Sequence, residues 1–173
     1  MLDEEWRPFH DHVVSNFGTI LGPKGECTAH NQAGYRNFTS EGRAYNHHRV
    51  LATLFVVNPR PDIFDEVDHI DGDPSEDHWT NIRWVNAKLN ALNKHKKRVK
   101  KPVLGKDGKL RWHVQVSVRG KRRYYGAVYT EEAYRKKVKA TQQAEFARLY
   151  KELTGDDSCG IGSKFYKTLT PQN

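Results

Sequence analysis

Cysteine is scarce in this 173-residue chain, which has only Cys27 and Cys159. The two are isolated and far apart, so no Cys-x-x-Cys pair exists and we expect no structural zinc. We expect no signal peptide, and therefore the reducing cytoplasm as the compartment and two free thiols as the state of the cysteines. A single disulfide between them is the alternative.

Long apolar runs are also absent, and no stretch approaches the length needed to cross a bilayer. Hydrophobic residues make up only 36% of the chain, but aromatic residues reach 11%, which suffices for folded units rather than disorder. The length allows one domain or two small ones. We therefore expect a soluble, very polar protein with no membrane partner.

Positive charge is unevenly distributed along the chain. Residues 1–93 hold eight Lys/Arg against fourteen Asp/Glu, whereas residues 94–151 hold nineteen against four and have a formal charge of +15. Aromatic residues are interleaved with this basic segment, namely Trp112, Tyr124, Tyr125 and Tyr129. Such a pattern predicts a polyanion-binding surface, with double-stranded DNA as the leading partner.

The first half of the chain predicts short strands, a helix, and then a strand, loop, strand and helix. Glycines break up the apolar stretches before about residue 45, as in short antiparallel strands. Residues 47–57 have helical spacing and end at Asn58-Pro59. Residues 66–70 and 82–85 predict two strands, and Asn86 is a plausible N-cap for a helix over 87–98.

The second half predicts a linker followed by a sheet and a helix. Six of the eight residues 94–101 are Lys or Arg. Residues 112–118 alternate with the two-residue period of a strand, and a helix is predicted from Thr130 to about Leu153. The predicted class is α+β, divided into an N-terminal unit, a basic linker, a three-stranded sheet plus helix, and a tail, with boundaries 1–95, 96–104, 105–153 and 154–173.

Asp68 and His69 are the strongest candidates for chemistry. Neighbours on a strand point to opposite faces, so a carboxylate can hold a divalent ion while the imidazole beside it deprotonates a water. Asn90, on the following helix, offers an amide oxygen suited to magnesium. These residues predict a site for one metal ion, magnesium, with manganese as the alternative. A calcium loop is disfavoured, because EF-hand spacing would put Val67 in the first ligand position.

The segment VDHIDGDPSEDHWTNIRWVNAKLNALN, residues 67–93, resembles HNH nucleases of the phage homing-endonuclease kind, whose core is the ββα-metal motif. The resemblance extends over roughly residues 12–95. It implies that Asp68 and Asn90 bind the metal, that His69 is the general base, and that Asn81 holds the loop that orients His69.

Two expectations concern residues around this motif. The loop 74–78 is more acidic than the Asn-rich loop usual in the family, which should repel phosphate near the cut. His47, His48 and His78 are expected to be structural, Asp71-Gly72 to be a turn, and Trp84 to lie in the core.

The basic second half resembles the DNA-binding domain of plant ethylene-response factors, which also occurs in phage homing endonucleases. The resemblance rests on Trp112-His113-Val114, Gly120-Lys121 and Tyr125-Gly126, and it implies that the sheet enters the major groove. The sheet side chains expected to reach bases or phosphates are Arg111, His113, Gln115, Arg119, Lys121 and Arg123. Those expected to contact phosphate from the linker are Lys94, Lys96, Lys97, Arg98, Lys100 and Lys101.

The sequence therefore predicts a site-specific HNH homing endonuclease of the phage type. It would hydrolyse phosphodiester bonds of double-stranded DNA with one divalent metal, as a monomer, in the cytoplasm of the infected host cell. The alternative is a non-catalytic, sequence-specific DNA-binding protein built on a retained HNH scaffold.

Overall fold

The computed structural model describes residues 3–27, 34–94 and 101–160. They form two compact units, the first from the described residues of Met1–Asn86 with Gly160 and the second from those of Ala87–Cys159. Each unit combines small antiparallel sheets with helix, so the predicted α+β class is confirmed. The boundaries at residues 95, 104 and 153 stay predictions. In the described part of the chain, no helix is both long enough and apolar enough to span a membrane.

The first unit begins with short strands, as predicted. Four of them form an antiparallel sheet in the order β1-β2-β3-β4, and two more form a separate hairpin. The sheet consists of β1 (Trp6–Phe9), β2 (His12–Ser15), β3 (Ile20–Gly22) and β4 (Gly25–Glu26), and the hairpin of β5 (Asn37–Ser40) and β6 (Arg43–Asn46).

The predicted helix follows, and after it the two strands predicted at residues 66–70 and 82–85. Helix α1 is His47–Phe55, shorter than predicted because Val56 already has an extended backbone. Strand β7 (Glu66–His69) pairs antiparallel with β8 (Ile82–Val85), and a 3-10 turn at Trp79–Asn81 precedes β8.

Helix α1 supplies the centre of the core of the first unit. Leu51 and Phe55 are fully buried and belong to one cluster with Val14, Ile20 and Ile82, which come from three different strands. Trp84 is partly buried against this cluster and donates a hydrogen bond from Nε1 to the carbonyl of Val56 at 3.1 Å. Trp84, predicted to lie in the core, is instead at its edge.

The second unit holds the remaining helices and a three-stranded antiparallel sheet in the order β11-β10-β9. Its elements are α2 (Ala87–Asn93), β9 (Val103–Leu104), β10 (Leu110–Val118), β11 (Lys121–Val128) and α3 (Glu131–Thr154). The sequence predicts α2 as far as residue 98, and residues 95–98 lie outside the described residues. The predicted three strands and long helix are confirmed.

Helix α3 has the predicted start. The side chain of Thr130 accepts a hydrogen bond from the Ala133 amide, and Glu131 and Glu132 occupy the first turn. Gly155, in the left-handed conformation, ends the helix. Valines 114, 116 and 118 form the buried face of β10, which packs on α3.

The turn between β2 and β3 lies against the loop between β7 and β8. Gly18 has φ +92°, and a Cβ at this position would overlap the backbone oxygen of Asp77. Next to this contact, the Trp79 amide donates to the Asn16 carbonyl at 3.0 Å. Only glycine allows the two segments to approach so closely.

This contact predicts that Gly18→Ala destabilises the protein more than Gly42→Ala does. Gly42 also has a positive φ, +75°, but a Cβ added there would meet nothing within 4 Å. Gly42→Ala should cost about 1–2 kcal/mol for the left-handed backbone alone, and Gly18→Ala should exceed it by at least about 1 kcal/mol through the clash. Urea unfolding followed by circular dichroism measures both. Equal losses would mean that the turn and the loop are not in tight contact.

Candidate functional site

His69 ends strand β7 and is held by a buried carboxylate. Its side chain is only 5% exposed, and Nε2 lies 2.8 Å from Oδ1 of Asp77, whose side chain is fully buried. Asp77 comes from the loop between β7 and β8. The strand and the loop thus place an imidazole and a carboxylate in direct hydrogen-bond contact.

Asp77 has a second imidazole on its other oxygen. Nδ1 of His47 lies 2.8 Å from Oδ2, although the two groups are not aligned as in a hydrogen bond. Burial alone would raise the pKa of Asp77, but its contacts with His47 and His69 outweigh burial and lower the pKa to about 2. Asp77 is therefore ionised at neutral pH, and His69 must be the donor in the Nε2 hydrogen bond.

His48 completes the group. Its ring centroid lies 5.3 Å from that of His69 and 5.1 Å from that of Tyr35. The side chain is buried, and its Nδ1 has no hydrogen-bond partner among the described residues. Burial, reinforced by the neighbouring His69, lowers the pKa of His48 to about 4, so this imidazole is neutral at physiological pH.

Potential ligand atoms of His48, His69 and Asp77 all lie within 4.8 Å of one another. We call these three residues the imidazole–carboxylate cluster. Two imidazole nitrogens and one carboxylate oxygen are a ligand set suited to zinc-like ions rather than to magnesium, which prefers oxygen.

Asn81 fastens the loop that leads away from His69. Its Oδ1 accepts from the Asp71 amide at 3.2 Å, and its Nδ2 donates to the Glu76 carbonyl at 2.9 Å. Its backbone oxygen also accepts from the Ile70 amide at 2.7 Å. These contacts support the prediction that Asn81 holds the loop. Whether this helps catalysis stays a prediction.

The turn predicted at Asp71-Gly72 is present, with φ +83° at the glycine.

Asp68, the predicted metal ligand, has a cationic partner. Nε and Nη2 of Arg83, on the neighbouring strand, lie 3.1 and 2.9 Å from Oδ2 of Asp68, and both side chains are buried. A dication bound by this carboxylate would lie close to the guanidinium, so the pairing does not fit a magnesium ligand. Asn90 lies on α2, in the second unit. Its ligand role stays a prediction.

The sheet of the second unit has one open face. His113, Gln115 and Ser117 lie on it, opposite Ala127, Tyr124 and Arg122 of β11, while the alternate valines of β10 face α3. A bulge between His113 and Gln115 shifts the register by one residue, and Gly126, with φ +94°, lies within it. The β11 residues that precede the bulge in the chain therefore lie on the opposite face from the one they would occupy in a regular strand pair.

This register assigns faces to two arginines of β11, whose DNA contacts stay predictions. Arg123 lies opposite Val116, on the side of α3, with Nη1 3.9 Å from Oε1 of Glu145. Arg122, which is absent from the predicted set, lies opposite the exposed Ser117 on the open face.

The other predicted basic residues have varied surroundings. Arg119 forms an ion pair with Glu152, and Arg111 with Asp107 at 2.5 Å. Lys121 lies opposite Val118 and is exposed, as are Lys94 and Lys101 at the ends of the linker. Lys96, Lys97, Arg98 and Lys100 lie outside the described residues.

No family model matches this chain, and no curated protein matches it. The chain is similar to one solved structure, which carries the description "DNA binding and cleavage by the HNH homing endonuclease I-HmuI". The sequence identity is 20%, the TM-score is 0.42, and the similarity covers 87% of this chain and 91% of that chain. A similarity at this TM-score does not establish a common fold. The function proposed below is therefore based on the distances and burial of the site residues.

The sequence points to His69 but not to its neighbours in the cluster. The acidic loop is expected to repel phosphate, yet Asp77 is buried between two imidazoles and does not face solvent. His47 and His48 are expected to be structural, whereas both face groups of the site. Two features of the sequence could have pointed to this cluster, namely the adjacent histidines at the start of α1 and the acidic residues of the loop 74–78. No known motif spacing connects the two features, so the sequence does not show that they meet.

The buried His48 predicts a pH dependence of stability for the metal-free protein. Its pKa is about 4 in the folded state, against an ordinary value of 6.5. Between these values the unfolded chain binds a proton that the folded chain does not, so stability falls as the pH drops from about 6.5 to 4. The loss should be on the order of 3 kcal/mol. His48→Phe, which retains a ring against Tyr35, should flatten this slope in urea titrations with chelator present. A slope equal to that of wild type would exclude His48 as its source.

Proposed function

We propose that this protein is an endonuclease that hydrolyses phosphodiester bonds of double-stranded DNA, with His69 as the general base. The observation that supports this most is the 2.8 Å contact between Nε2 of His69 and the buried Asp77 carboxylate. A base held and oriented by an ionised carboxylate is an arrangement typical of hydrolytic sites.

The protonation states define what each group does. Because Asp77 is ionised, the proton of His69 resides on Nε2 and the lone pair on Nδ1. Nδ1 is then the atom that accepts a proton from the attacking water. Asp77 would stabilise the imidazolium that forms, and because its side chain is fully buried it acts through His69 as a positioning residue. Asn81 keeps the loop that bears Asp77 in place.

A divalent metal would stabilise charge on the departing oxygen, and the HNH resemblance assigns it to Asp68 and Asn90. The Arg83–Asp68 ion pair does not fit that assignment. No step of the hydrolysis is therefore assigned to a metal at Asp68.

The second unit would bind the DNA. The basic segment 94–151, with formal charge +15, supplies phosphate contacts, and the open face of the sheet presents hydrogen-bonding side chains for base recognition. Site-specific cleavage by a monomer, as in a phage homing endonuclease, is the fuller form of this proposal.

A second candidate function is non-catalytic DNA binding on an HNH scaffold. The observation that favours it is the burial of Asp68 and His69, which are 6% and 5% exposed, with Asp68 already neutralised by Arg83. Both candidates require DNA binding by the second unit, and only one requires His69.

Plasmid cleavage by His69→Ala separates the two. With magnesium or manganese present, loss of the base should lower the rate of nicking by about 10²–10⁴-fold. The matched control is His10→Asn, because His10 is exposed, lies outside the site and has φ +53°, which Asn tolerates. The control should cut as wild type does. Identical residual nicking by wild type and His69→Ala would refute the enzyme proposal.

Adjacent arginines on opposite faces of β11 test the DNA-binding surface. Arg122→Ala should weaken DNA binding and reduce the salt slope by about one unit, because a phosphate or base contact leaves the open face. Arg123→Ala should change both quantities less, since Arg123 faces Glu145. Fluorescence anisotropy over a series of salt concentrations measures both. A larger effect at Arg123 would contradict the assigned face.

A further inference from the structure

Three buried side chains of the first unit have the composition of a site for a zinc-like ion. His48, His69 and Asp77 offer two imidazole nitrogens and one carboxylate oxygen, all within 4.8 Å of one another. Zinc bonds of about 2.0–2.1 Å place tetrahedral ligand atoms about 3.4 Å apart. The widest pair would therefore have to close by about 1.4 Å at most. Three protein ligands leave a fourth position for a water or a phosphate oxygen.

The unpartnered nitrogen of His48 is a second, independent observation. His48 is only 8% exposed, and its buried Nδ1 has no hydrogen-bond partner among the described residues. Buried polar atoms in folded proteins almost always have a partner, so an orphaned one needs an explanation. An ion bound through this nitrogen would supply one.

The surroundings of Asp77 also suit a ligand. Metal-binding carboxylates are commonly held through their second oxygen. Here Oδ1 faces His69 while Oδ2 lies 2.8 Å from Nδ1 of His47. His47 would thus orient the carboxylate without binding the ion.

We propose that the imidazole–carboxylate cluster binds a nitrogen-preferring divalent cation of the zinc class, and that this ion silences His69 as a base. The second half of this proposal rests on the proposed nuclease function. An ion bound at Nε2, the nitrogen that faces Asp77, moves the single ring proton to Nδ1. The lone pair that would accept the proton of water is then lost, with no net proton released.

Binding is tested first, without DNA. Co²⁺ added to the full chain should give the visible absorption of a four-coordinate ion, one ion per chain, and Zn²⁺ should abolish it while Mg²⁺ should not. His48→Phe keeps a ring against Tyr35 but removes a ligand, and should weaken Co²⁺ binding at least about 10-fold. His10→Asn, which removes an imidazole outside the cluster, should bind as wild type does. Equal Co²⁺ affinity of wild type and His48→Phe would overturn the site.

Inhibition is tested second. Zn²⁺ titrated into plasmid cleavage in excess Mg²⁺ should inhibit wild type and His10→Asn at the concentrations that displace Co²⁺. His48→Phe should need at least about 10-fold more Zn²⁺. Equal sensitivity of His48→Phe and wild type would overturn the inhibitory role.

The two assays separate the failure of each proposal. A chain that binds Co²⁺ through His48 but cuts no DNA would refute the nuclease function and the inhibitory role while the metal site stands. A chain that cuts DNA through His69 but gives no Co²⁺ absorption would refute the metal site alone.

Discussion

A carboxylate with no exposed surface is stable inside a protein only if charged or polar partners replace the water it has lost. Asp77 is in this position, and His47 and His69 are those partners. Because one imidazole begins α1 and the other ends β7, the carboxylate ties the helix, the strand and the loop to each other. The close approach of Gly18 and the two side-chain hydrogen bonds of Asn81 fix the same loop from outside. These contacts together hold the buried charge of Asp77 in place.

Asp68 and His69 show how neighbours on one strand acquire different chemistry. Successive side chains point to opposite faces, so the two cannot share partners. Asp68 meets the guanidinium of Arg83 across the β7–β8 pair, while His69 meets the carboxylate of Asp77. The acid is therefore neutralised by a permanent cation, and the imidazole gains a permanent anion. This division favours a role in proton transfer for His69, and it makes Asp68 a poorer ligand than an unpaired carboxylate.

Local pattern predicted the elements well, because the periods of strand and helix are properties of short segments. The strands around Asp68-His69 and Trp84, the cap at Thr130 and the alternating valines of β10 are all of this kind. Pattern failed where a contact joins distant segments, as between His47 and Asp77. Pattern also could not assign Arg123 to a face of the sheet, because a single bulged residue reverses the faces of a strand. Gly126, which lies within β11, marks that bulge.

The hydrogen bond that would prepare His69 as a base keeps a proton on the nitrogen that an ion would need. A base must keep its lone pair pointed toward a water, whereas a metal ligand gives the lone pair to the ion. Asp77 favours the first state by accepting the Nε2 proton, and in the second state its Oδ1 would turn from hydrogen-bond acceptor to ligand. In the second state His48 would become the third donor to the ion. An amide at position 77 could accept the same hydrogen bond, but it would offer an ion no charge. The buried acid therefore links base and metal chemistry in a single group.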